Sequence, residues 1–157
     1  MLFRSSFLVD NTEKEALDIL YIEGHPRNEY KFIRRAVAGD NSLRLATYLQ
    51  TGPEKYYRQG IESATELSSG FPEDREELFQ YEALVLGDIE FDFFSAEQLQ
   101  MIEDFVAERG GGFLMSGMVD EEFIGTPIAD ILPVTLVEEG FLPAHLRVGI
   151  CRGENPT

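Results

Sequence analysis

Gly149-Ile150-Cys151-Arg152-Gly153 holds the one cysteine of the chain in a G-x-C-x-G pattern. Glycines two residues to either side of a cysteine suit a nucleophile on a sharp strand-to-helix turn, where no side chain may crowd the reacting sulfur. Such a cysteine needs a histidine to take its proton and an acid to orient that histidine. Only Glu154, Asn155, Pro156 and Thr157 follow the motif, and the two histidines, His25 and His145, both precede it. A regular edge strand followed by a polar turn satisfies the same five residues. The expectation is therefore that nothing here is catalytic, with Cys151 kept as the alternative nucleophile.

A second group of residues could bind rather than react. Glu23-Gly24-His25-Pro26-Arg27-Asn28 and Gly87-Asp88-Ile89-Glu90 each follow a short apolar run, and Ser116-Gly117-Met118 and Asp120 follow a third. If those runs are parallel strands, the loops gather at one edge of the sheet, where open α/β sheets take their ligands. Ligand candidates are thus Glu23, Gly24, His25, Arg27, Asn28, Gly87, Asp88, Ser116 and Gly117. A helix starting near Pro26 would aim free N–H groups there, and Arg27 would add charge, which together suit a small anion. The plainer reading is a tight turn at Gly24, an Arg27 paired with a nearby acid and an exposed His25.

Metal chemistry finds less support. Asp88-x-Glu90-x-Asp92 opens like a calcium loop, but Phe93 stands where that loop needs glycine and Leu99 where it needs glutamate. Asp120-Glu121-Glu122 is a further acidic cluster, read with the first as solvated. Two histidines and one cysteine do not make a structural zinc site. No cofactor is expected. A formal net charge of −16 repels a phosphate backbone, which argues against nucleic acid as a partner.

The elements that must position these loops are legible in part. The chain has 157 residues, 43% hydrophobic and 27% charged, enough for one domain with its own core. No apolar run approaches the roughly 20 residues of a membrane span. Residues 1–16 read as a linker or the end of a preceding segment, with the domain proper over 17–157. Ile19–Ile22, Leu43–Leu49, Ala83–Gly87 and Phe113–Ser116 read as strands, the first a continuous apolar run buried on both faces. Tyr30, Ile33 and Val37 recur at helical spacing after Pro26, and Gly39-Asp40-Asn41 stops that helix. Pro53 and Pro72 predict short helices over 54–58 and 73–79, with an ordered surface loop between. Ser95 and Gln98 form a capping box before Leu99, Ile102, Phe105 and Val106, and Gly110-Gly111-Gly112 ends that helix. A helical turn is expected from Pro127 to Ile131, and further strands at 134–137 and 146–151. Strands alternating with helices predict an α/β fold with a doubly wound, mostly parallel sheet in three α/β/α layers.

Leu20 to Ala36 resembles a stretch usually written LYVEG-x-PRWEY-x-FLRRAL. It belongs to the class I glutamine amidotransferase-like domain of bacterial membrane proteins that also carry a von Willebrand factor type A domain. Phe71-Pro72 through Tyr81, Leu86-Gly87-Asp88, Glu108 to Gly112 and Gly125 to Pro133 resemble it too. Asn28 departs from the pattern, which has tryptophan there. The resemblance implies a flavodoxin-like sheet whose cysteine elbow, due after the fourth strand, is replaced at Gly117-Met118. It implies that Phe7 to Asn11 ends a β-sandwich segment. It also implies that the family continues past Thr157 into more of the domain and a membrane helix, so that this chain is a soluble excerpt of a membrane-anchored parent. The implied function is a non-catalytic module binding a protein partner or small ligand, the alternative being a glutamine amidotransferase or hydrolase with a cysteine nucleophile.

Overall fold

The computed structural model describes residues 16–52, 55–116 and 124–132. The expected strands at 134–137 and 146–151, with Gly117, Met118, Asp120 and Cys151, lie outside those residues.

Five strands and four α-helices follow one another along the described chain, with the second and third strands consecutive. They are β1 (Leu17–Glu23), α1 (Asn28–Val37), β2 (Leu43–Gly52), β3 (Lys55–Gln59), α2 (Arg75–Leu78), β4 (Ala83–Leu86), α3 (Ala96–Ala107), β5 (Gly112–Met115) and α4 (Pro127–Ile131). The strands form one mixed sheet in the order β3-β2-β1-β4-β5. Leu17 to Glu23 align in parallel with Leu43 to Leu49, and Ile19 to Ile22 with Ala83 to Leu86. β5 adds in parallel to β4. This is an α/β fold, with one departure from an all-parallel sheet: β3 pairs antiparallel with β2.

β3 corrects the helix expected over 54–58. Pro53 can start a helix, but Lys55-Tyr56-Tyr57-Arg58-Gln59 forms a strand. Tyr56 lies stacked on Tyr48 of β2, ring centroids 4.7 Å apart, and Tyr57 stands opposite Leu49. Consecutive aromatic side chains, one on each face of the strand, gain more from this cross-strand pairing than from an isolated helical turn.

The core lies on one face of the sheet. Leu20 and Ile22 of β1, Ala46 and Tyr48 of β2, Leu84 and Leu86 of β4, and Phe113 and Met115 of β5 alternate with residues of the other face. Against them pack Leu99, Ile102, Phe105 and Val106 of α3, as their spacing predicts, together with Leu78 of α2 and Ile128 of α4. The segment between β3 and α2 is not wholly a surface loop: Leu67 and Phe71 reach into this core. Both halves of the Ser95–Gln98 capping box are present and start α3. α2 and α4 fall within the expected helical stretches.

Tyr21 turns to the opposite face, where its ring meets Tyr30 of α1 at 5.6 Å. Coverage there is thinner. No residue of α1 is fully buried, and Tyr30, Ile33 and Val37 are half-buried. Among the described residues no helix is long and apolar enough to cross a membrane.

Candidate functional site

β1 has β2 on one side and β4 on the other, so the chain leaves its central strand in opposite directions. The crevice beyond the carboxyl ends of β1 and β4 is the place where such sheets receive ligands. Glu23, Gly24, Arg27, Gly87, Asp88 and Ser116 converge there, as their positions after three strands predict.

They converge on one another. Glu23 ends β1 with its side chain fully buried. Its carboxylate accepts from Arg27 Nε at 3.1 Å and Nη2 at 3.4 Å, from the Asp88 N–H at 2.8 Å and from the Tyr21 hydroxyl. Arg27 Nη2 also donates to the Ser116 carbonyl at 2.6 Å. One guanidinium thus ties the start of α1 to the ends of β1 and β5, while the carboxylate ties β1 to the chain after β4. A buried charge needs a partner and several hydrogen bonds to persist, and Glu23 has both.

Two glycines make room for this knot. A Cβ on Gly87 would stand 2.5 Å from the Glu23 carboxyl carbon, so the carboxylate occupies the space a side chain would fill. A Cβ on Gly24 would run into the backbone of Asp88 and Ile89, which lets the two loops lie flat together. The Gly87 N–H donates to Ile22 at 2.7 Å and the Ser116 N–H to Leu86 at 2.7 Å, extending the ladders past the strand ends.

The electrostatics fix the protons. Burial pushes the Tyr21 hydroxyl far above its ordinary range, and the bond it donates to Glu23 pushes it further. It stays protonated and acts only as a donor. Burial opposes the charge on Arg27, but the bonds and attraction of Glu23 outweigh it and hold the guanidinium above its ordinary value. Neither group is poised to exchange a proton near neutral pH.

His25 and Asn28 are exposed and stand outside the knot. α1 begins at Asn28, with Arg27 in extended conformation as its N-cap; Pro26 lies before the helix rather than in its first turn. The extended backbone at Arg27 lets its side chain turn back to Glu23. A shallow depression lined by Pro26, Arg27, Asn28, Glu29 and Lys31 opens beside this helix start. Its one ion-paired cation, Arg27, already faces Glu23, which weakens the case for an anion there. Among the described residues no group of histidine, cysteine or acidic side chains could hold a metal ion.

Tyr21 was not anticipated. The signal was available: two residues before Glu23 on a strand, it shares Glu23's face. A second polar knot, at the other end of the strands, was also missed. Arg44 bonds Asp18 at 2.6 and 2.7 Å and Glu66 at 2.9 Å, and Glu66 accepts from the Tyr81 hydroxyl at 2.8 Å. Nothing local links residues 18, 44, 66 and 81, so no spacing could reveal it.

Comparison of the chain with protein-family models, curated proteins and solved structures gave no match.

Proposed function

We propose that this chain is a non-catalytic, class I glutamine amidotransferase-like module that binds a protein partner, and that it belongs to a larger membrane-anchored bacterial protein carrying a von Willebrand factor type A domain. The strand order β2-β1-β4-β5 supports reading the sheet as doubly wound and flavodoxin-like. One observation carries the functional reading: at the switch point Glu23 and Arg27, the charged side chains a ligand would use, are spent on each other. A substrate there would have to displace a buried carboxylate from three donors, at a cost of several kcal/mol. A folded surface with its crevice closed recognises partners through its outer faces.

Glutaminase and esterase assays on the chain, beside a Cys151→Ala control, test this. The expected result is no ammonia release above background in either protein. Ammonia release that disappears in Cys151→Ala sinks the non-catalytic reading and restores the alternative, a cysteine-dependent glutamine amidotransferase or hydrolase. Phosphate or carboxylate ligands are expected to leave the melting temperature unchanged, since binding that engaged Arg27 would raise it by mass action.

A further inference from the structure

We propose that the outer face of α1, built on Lys31, Phe32, Arg34 and Arg35, docks an acidic protein segment that carries an apolar side chain among its carboxylates. The inference rests on the binding-module reading above and names its surface and the chemistry of its partner.

Charge is the first support. The chain as a whole carries −16, yet α1 holds three cations, Lys31, Arg34 and Arg35, against one acid, Glu29, a net of +2. On the opposite side of the sheet, α2 and α3 together hold Glu76, Glu77, Glu97, Glu103 and Asp104 against Arg75, a net of −4. The basic charge on α1 is also unspent. Arg27, Arg44, Arg75 and Arg109 all sit in ion pairs, whereas among the described residues Lys31, Arg34 and Arg35 are in none.

Packing is the second. Phe32 lies between these cations with 65% of its surface exposed, the most exposed large apolar side chain of the described residues. α1 buries none of its residues fully, while α3 buries five. Ile19 and Leu45, paired on the α1 side of the sheet, are likewise only half-buried. Exposed apolar surface on a helix that also carries two unpaired guanidinium groups and an ammonium, Arg35 one turn from Phe32, fits carboxylates set around an apolar anchor.

A protein segment is favoured over an anionic membrane because a flat charged surface would also meet the acidic bulk of the molecule. A segment lying along α1 meets only charges within a screening length of roughly 8 Å at physiological salt.

The test uses the full chain and a fluorescein-labelled amphipathic peptide with glutamates on one face and leucines on the other. Fluorescence anisotropy is expected to show saturable binding that weakens with added salt. Replacing three exposed cations (Lys31→Gln, Arg34→Gln, Arg35→Gln) is expected to weaken it roughly tenfold, and Phe32→Ala several-fold, with unchanged thermal melts. Glutamine keeps good helix propensity, so the melt separates lost binding from lost folding. Binding undiminished in the folded triple variant overturns the proposal, as does no binding at all. Binding to phosphatidylserine vesicles without binding to the peptide overturns it in favour of a membrane. Self-association in sedimentation velocity that the triple variant abolishes overturns it in favour of a second copy of the chain. Cys151-dependent ammonia release would sink the non-catalytic reading whatever the peptide does, so the two failures are distinguishable.

Discussion

Arg27→Met should destabilise the fold well beyond what a partly exposed arginine normally contributes. Its guanidinium is 3.1 Å from a carboxylate whose side chain is fully buried, and itself is one-quarter exposed. Breaking a buried pair by removing one partner costs about 3–5 kcal/mol, because the charge left behind is uncompensated. Glu23 would keep the Asp88 N–H and the Tyr21 hydroxyl, and water could reach the vacated side, which places the expected cost at about 2–3 kcal/mol. With a urea m value of about 2 kcal/mol/M, the midpoint falls by roughly 1–1.5 M. The chain has no tryptophan, so unfolding is best followed by far-ultraviolet circular dichroism. Glu23→Gln should cost less alone, about 1–2 kcal/mol, and the double variant should lose less than the sum, with a coupling of at least about 1 kcal/mol. An Arg27→Met protein within about 0.5 kcal/mol of the parent, or a coupling below that size, would refute the view that this pair closes the crevice.

Three further outcomes are expected. Gly87→Ala should cost about 1–3 kcal/mol by urea unfolding, because its methyl would meet the Glu23 carboxylate, and the cost should shrink in a Glu23→Ala background. Ser95→Ala removes half of the capping box and should cost about 1 kcal/mol, with faster hydrogen exchange confined to the first turn of α3. Glu66 is opposed by burial, but the Glu62 N–H, Arg44 and Tyr81 together lower its pKa below the ordinary glutamate value. Its folded-state pKa is depressed, so its contribution is fully present above the unfolded value and fades as pH falls through the lower folded one. Melting curves taken from neutral pH to about pH 3 should therefore show the parent's advantage over Glu66→Gln disappearing on acidification.

How much of this was legible beforehand follows from the range of the interactions. The α3 helix could be read because its information is local: a cap at Ser95, a partner three residues on and an apolar stripe at helical spacing. Ile19–Ile22 could be read as a central strand because an unbroken apolar run tolerates no wet face. Lys55–Gln59 could not, since a proline followed by polar and aromatic residues starts a helix or a strand equally well. Only the pairing with β2 and the stacking of Tyr56 on Tyr48 decided it.

The same division holds for the candidate site. Sequence alone determined that Glu23, Gly24, Arg27, Gly87, Asp88 and Ser116 would meet, because parallel strands must end at one edge. It determined too that the chain is acidic overall. Only the tertiary structure decided what the meeting does. Whether a carboxylate and a guanidinium face a ligand or each other depends on a few ångströms between Glu23, Arg27 and the missing side chain of Gly87. Those distances are set by how three strands and two loops pack together, and no residue spacing encodes them.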